Sequence, residues 1–220
     1  MLVIAGHLLE ADPADVTLTD GRCAVRGMPD RSVTVRQIAR AAYSGAKQLP
    51  KGLEPGLEAT RFYDPYYGTA SNATHLAMVE VDRATCAVKP LRYIVVEDCG
   101  RMVNPLIVDG QVHGGVAQGI GAALLEEIVY DDQGQLLSGT LMDYVVPSAC
   151  EIPAMEVHHV ETPSPVALGG FRGMGEGGTI GAPAAIANAV ADALAPLGIE
   201  VAELPVTPER IFRLVAKART

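Results

Sequence analysis

The chain has 220 residues, room for one large domain or two small ones, and 49% of them are hydrophobic, enough to bury a core. A formal net charge of -9, with no Lys/Arg-rich run, excludes a surface that tracks nucleic-acid phosphates. Every long apolar stretch is broken by Gly, Pro or charge, so none spans a bilayer; the start MLVIAGHLLEADPAD lacks the positive n-region of a signal peptide, and a cytoplasmic location is expected.

Taken in chain order, residues 1–60 read as an αβ portion and 61–220 as a second. VTLTDGRCAVRG alternates on both sides of Asp20-Gly21, a hairpin signal. SVTVRQIARAAYSG follows, with Ser32 or Thr34 as N-cap and Ile38, Ala41 and Ala42 at helical spacing. The Pro- and Gly-rich stretch 47–60 reads as a loop. THLAMVEVD and PLRYIVVEDCG read as strands, the first with Leu76, Met78, Val79 and Val81 in imperfect alternation. A helix is expected over 105–127, opened by Asn104 and Pro105, because Val108, Val112, Val116, Ile120 and Leu124 recur every four residues. MDYVVP and AMEVHHVET read as strands. A helix starting near Pro183 and ended by Pro196 carries Ile186, Ala189, Val190, Ala193 and Leu194 as its stripe. A final helix runs from Pro208 with Thr207 as cap. Strands mixed with helices and hairpins predict an α+β architecture of mixed sheets with packed helices. Cys23, Cys86, Cys99 and Cys150 lie far apart with no C-x-x-C, so four buried, reduced thiols are expected and no metal ligand is assigned.

The 105–127 helix holds Gly110, Gly114, Gly115, Gly119 and Gly121. Each costs up to ~1 kcal/mol relative to Ala in a helix interior. Gln111 and Gln118, two turns and about 10 Å apart, share a face with Gly114 and Gly115 between them. Such bare backbone admits a flat or extended ligand, with carboxamides to orient it. The alternative is close helix packing through small residues, which explains the glycines but not the two glutamines. His113, on the opposite face, reads as structural.

FRGMGEGGTIGAP, residues 171–183, contains G-x-G-x-x-G at Gly173, Gly175 and Gly178. A dinucleotide fingerprint needs a strand before the glycines, and TPSPVALGGFR is a Pro/Gly loop. Glu176 would also repel a pyrophosphate. The glycines read instead as clearance around Glu176, a candidate general base.

VEDCGRMVNPLIVDGQVHGGVAQGIGAALLEE, followed by MDYVVP, TPSP and RGMGEGGTIGAP, resembles the C-terminal part of the molybdenum-binding large subunit of the xanthine dehydrogenase, aldehyde oxidase and carbon monoxide dehydrogenase family. The resemblance is clearest over 93–215. It implies the fold of that family's molybdopterin-binding domain, and a molybdopterin cofactor carrying Mo, in its cytosine dinucleotide form. It implies hydroxylation of an N-heterocycle, purine, aldehyde or related small molecule with water, Glu176 acting as the active-site base. Gln111, Gly114, Gly115, Gln118, Arg172, Gly173 and Gly175 match the segments that lie along the cofactor. Two departures stand near the metal, Arg172 where many relatives have Lys and Gly177 where others have Ala, Ser or Pro. The family's large subunit is several times longer, so the implied partners are the N-terminal part of that subunit, an iron–sulfur subunit with 2Fe-2S clusters and an FAD subunit, in a hetero-oligomer. The alternative is a structural fragment of the family with no cofactor and no activity alone.

Overall fold

The alternating residues flanking Asp20-Gly21 pair as an antiparallel hairpin. In the computed structural model, which describes all residues except 46, 48, 65–68, 219 and 220, β1 (Val16–Thr19) meets β2 (Arg22–Val25) with Leu18 opposite Cys23. Asp20 and Gly21 take φ of 47° and 75°, the left-handed pair that a two-residue turn between twisted strands requires. β3 (Met28–Thr34) completes a three-stranded sheet. Thr34, rather than Ser32, caps α2 (Val35–Ser44). Its hydroxyl accepts from the Gln37 N–H while the Gln37 side chain accepts from the Thr34 N–H at 2.8 Å, a reciprocal capping box. Ile38, Ala41 and Ala42 form the buried face of α2, and cluster with Ile4, Ala5 and Leu9 of α1 (Leu2–Leu9). No side chain caps the start of α1, so its N-terminus carries no local sequence signal. The described residues of 47–60 hold no strand or α-helix, and Gln48 lies outside the described residues. These elements make up the compact unit Met1–Asp64.

The second unit, Pro65–Thr220, is built on a mixed sheet. β4 (Asn72–Val81) and β5 (Val88–Asp98) are antiparallel, and β6 (Met155–His159) joins β5 in parallel. Tyr93 and Val95 of β5 bury against Val112, Val116 and Ile120 of α3 (Pro105–Leu124) and Ile186, Val190 and Leu194 of α4 (Ala182–Leu194); α5 (Pro208–Ala218) adds Ile211. Each such aliphatic contributes ~1.5–3 kcal/mol when fully buried. Asn104 caps α3 and Thr207 caps α5 through their side-chain oxygens, as their positions predict. Arg219, expected in α5, lies outside the described residues.

Four expectations need correction. α3 stops at Leu124, not 127, because Glu126 leaves the helix to accept from the Tyr144 hydroxyl at 2.5 Å and Glu127 pairs with Arg210. MDYVVP is a turn followed by irregular chain rather than a strand: Thr140 bonds the Asp143 carboxylate and the Tyr144 N–H, closing the chain on itself. On β4 the inward positions are His75, Ala77, Val79 and Val81, with Leu76 and Met78 exposed. The register slips between Met78 and Val79, opposite Pro90, which cannot donate to a ladder. Cys23, Cys86 and Cys99 are buried, but Cys150 is exposed on a turn.

Candidate active site

The glycine segment is a chain of turns, and residues 160–170 ahead of it hold no strand, so the dinucleotide fingerprint fails in three dimensions as it did in sequence. The Gly173 N–H donates to the Thr69 carbonyl, Gly177 N–H to Met174 O, and Thr179 and Ile180 N–H to Glu176 O at 3.0 and 3.1 Å. This winding leads straight into α4, whose second residue is Pro183. Gly173, Gly175 and Glu176 line a cavity of about 340 Å3 with Ser71, His75, Met174 and Ile180. The Glu176 side chain is exposed, and no described residue bonds or ion-pairs with its carboxylate. A Cβ on Gly175 would meet nothing within 4 Å.

The turn is held from below by residues the sequence reading did not select. His75 Nε2 lies 3.1 Å from the Gly177 carbonyl and Nδ1 lies 2.9 Å from the Tyr93 hydroxyl. A carbonyl only accepts, so Nε2 carries the proton and Nδ1 accepts from Tyr93. Burial lowers the pKa of His75 and raises that of Tyr93, so both stay neutral and the polarity of this chain is set. A Cβ on Gly181 would stand 2.5 Å from the His75 ring, which gives that glycine its reason. His75 was visible in principle, as the inward polar residue of an otherwise apolar strand face.

The glycines of α3 divide into two sets. Gly115 and Gly119 touch the glycine turn and the start of α4. Their added Cβ would stand 2.9 Å from Gly178 backbone and 3.0 Å from Pro183. Gly121 likewise faces Pro147. These three serve close packing. Gly110 and Gly114 meet nothing within 4 Å, so the bare strip runs along Gly114 but not Gly115. Gln111 is exposed, with no described partner. Gln118 reaches the glycine turn: the Thr179 hydroxyl lies 3.3 Å from its Oε1 and donates to Gly115 O at 2.7 Å. Gln118 and Glu176 are therefore tied to one turn, and His113 bonds the Asp109 carbonyl of its own helix at 2.7 Å.

Arg172 is placed differently from the other candidates. Its guanidinium donates to the carbonyls of Thr162 (2.9 Å) and Ala70 (3.3 Å), bracing the segment that enters the glycine turn. The adjacent brace is Asp98, whose carboxylate accepts from Gly100 and Thr162 N–H; bonding to Thr162 lowers its pKa. Gly100, at φ 68°, bridges to Phe171 because a Cβ there would collide with the Gly170 carbonyl. The 98–100 segment and the 170–172 segment thus brace one another at the entry to the glycine turn.

The model of the molybdopterin cofactor-binding domain matches residues 1–153. The chain is 43% identical over 97% of its length to the nicotine 6-hydroxylase large subunit of Paenarthrobacter nicotinovorans, and 39% identical over 96% to the carbon monoxide dehydrogenase large chain of Hydrogenophaga pseudoflava. It superposes on quinoline 2-oxidoreductase from Pseudomonas putida 86 with a TM-score of 0.92 and 46% identity over 98% of the chain. It spans 26% of the two curated relatives and 28% of the quinoline enzyme's chain. With the glycine turn, the open helix face and the mixed sheet all in one unit, and with this degree of identity, the chain belongs to the molybdenum-binding large subunits of the xanthine dehydrogenase, aldehyde oxidase and carbon monoxide dehydrogenase family.

Proposed function

We propose that this chain carries the glutamate-bearing part of the active site of a molybdenum hydroxylase, acting on a small electron-poor molecule with water as oxygen source. The observation that carries the reading is Glu176: an accessible carboxylate without a partner among the described residues, on a turn braced by Tyr93, His75 and Gly177. An N-heterocycle is the favoured substrate class, since relatives at 43% and 46% identity are named for nicotine and quinoline.

The residues fit an extended cofactor laid along α3. Gly110 and Gly114 leave its face clear, Gln111 offers an unpaired carboxamide, and Gly175 leaves room beside Glu176. In this reading the metal is held by molybdopterin, in its cytosine dinucleotide form, and not by side chains of this chain. When bound, that cofactor supplies the redox centre that takes two electrons from the substrate. Glu176 removes the proton from the attacking water-derived oxygen, Gln111 and Gln118 orient the cofactor, and Gly173 and Gly175 let it approach the backbone. Arg172 acts here by holding the entry to the turn. Partner chains bearing 2Fe-2S clusters and FAD would take up the electrons, and the N-terminal part of the large subunit would complete the site.

Glu176→Gln in the assembled enzyme is the test. Loss of a positioned base costs roughly 10²–10⁴-fold in turnover, with molybdenum content retained. Turnover kept by this variant refutes the base assignment. Assembled protein that contains no molybdenum supports the alternative, a structural member of the family without cofactor.

A further inference from the structure

Behind the Glu176 turn lies a second carboxylate that the proposed reaction does not use. Glu97 faces inward from β5, 1% exposed, and neither of its oxygens has a hydrogen-bond partner among the described residues. Its Oε2 lies 4.0 Å from Nδ1 of His159 on β6, another buried atom without a partner. The other nitrogen of His159, Nε2, lies 2.7 Å from the Asp109 carboxylate on α3, and that side chain is 44% exposed. On the opposite side, Glu97 Oε1 and the Ser71 hydroxyl stand 3.3 and 3.4 Å from the point where a Cβ on Gly177 would sit, and Ser71 lines the Glu176 cavity. Polar groups therefore lie one after another from the cavity, under the turn, to solvent, bonded at His159–Asp109 and spaced apart at Glu97.

We propose that Ser71, Glu97, His159 and Asp109 form a proton relay that carries protons away from the Glu176 cavity. The inference rests on the reading of Glu176 as the base. The Asp109 carboxylate accepts from Nε2, and in the neutral imidazole Nδ1 then turns a lone pair toward Glu97. A buried carboxyl opposite that lone pair is satisfied in its neutral form, as the O–H donor; the 4.0 Å gap closes by a small rotation or one bridging water. Burial raises the pKa of Glu97, with Asp98 adding to the rise and His159 opposing it. In one cycle Glu97 passes its proton to Nδ1 and His159 releases its Nε2 proton to Asp109 and bulk water. Glu97 is reprotonated from the cavity through the Ser71 hydroxyl or a water beside it, and rotation of the His159 ring toward solvent lets bulk water take the Nδ1 proton and return one to Nε2, which restores the starting tautomer. One proton crosses, no electrons move, and the charge of the relay is unchanged. Glu97 and His159 are positioning and proton-moving groups and touch neither substrate nor cofactor in this scheme.

The test uses the assembled enzyme carrying Glu97→Gln, which preserves shape and removes the exchangeable carboxyl, and His159→Gly. Infrared difference spectra at neutral pH should contain the C=O stretch of a protonated carboxyl that Glu97→Gln removes. Turnover of both variants should fall by about tenfold or more, at unchanged molybdenum content, and added imidazole should restore His159→Gly. Absence of the carboxyl band, wild-type turnover in Glu97→Gln, or no rescue by imidazole would each overturn the relay. Failure of the Glu176 reading is a separate result, since Glu176→Gln would then turn over while the Glu97 band, which needs no turnover, is still scored.

Discussion

Gly114 and Gly115 are neighbours on α3 and should respond to alanine in opposite ways. On Gly114 the new methyl meets nothing within 4 Å, so alanine adds helix propensity alone, up to ~1 kcal/mol of stability. On Gly115 the same methyl stands 2.9 Å from the Gly178 Cα and carbonyl carbon and from the Thr179 nitrogen. All three are backbone and cannot rotate away. Carbon contacts are comfortable near ~3.5–4.0 Å, so α3 and the turn must part by roughly half an ångström or more. Overpacking of this kind costs ~1–3 kcal/mol. The two variants should therefore differ by ~1–4 kcal/mol, and Gly115→Ala should melt ~2–16 °C below Gly114→Ala. Calorimetry on the cofactor-free protein reads this directly. A Gly115→Ala melting point equal to or above that of Gly114→Ala would refute the backbone contact between α3 and the glycine turn. The molybdenum content of the assembled enzyme reads the other consequence. If the cofactor lies on the open face, Gly114→Ala lowers retention in spite of its higher stability.

Tyr93→Phe should cost ~1–3 kcal/mol, because it leaves His75 Nδ1 buried without its donor, and should reduce turnover more than molybdenum content. Equal losses in both would mean that the Tyr93–His75 chain merely supports the fold. The pKa of His75 is depressed by burial, so its contribution to stability is present above its ordinary value of about 6.5 and is lost as pH falls through the lower folded value. His75→Gln should flatten that acid limb of a stability–pH curve. Glu97 runs the other way. Its raised folded pKa gives a contribution fully present below about 4.3 and lost as pH rises through the folded value, a loss that Glu97→Gln should remove. Thr34→Ala should destabilise the N-terminal unit by ~1 kcal/mol by deleting half of the capping box, with unfolding of that unit followed by hydrogen exchange as the check.

Caps, turns and periodicity were legible because they act between residues close in the chain. Asn104-Pro105 opens α3, Thr207 opens α5 and Asp20-Gly21 turns the first hairpin, each through bonds to residues within four positions. The same local logic placed a strand at MDYVVP, where alternation was present but no neighbouring strand was. It also ran α3 three residues too long, because Tyr144 and Arg210, which draw Glu126 and Glu127 out of the helix, come from elsewhere in the chain.

The sequence by itself determined that 171–183 is a glycine-cleared turn around one carboxylate, that α3 carries more glycine than a helix tolerates without cause, and that these motifs match one family. It could not assign each glycine its purpose. Gly114 and Gly115 are chemically identical neighbours, and only the approach of Gly178, sixty-three positions later, makes one a packing surface and leaves the other open. Glu97 reads in sequence as one more charge at the end of a strand. The fold buries it beneath the glycine turn, between His159 on a parallel neighbour and Ser71 at the cavity, where desolvation changes what a carboxyl can do.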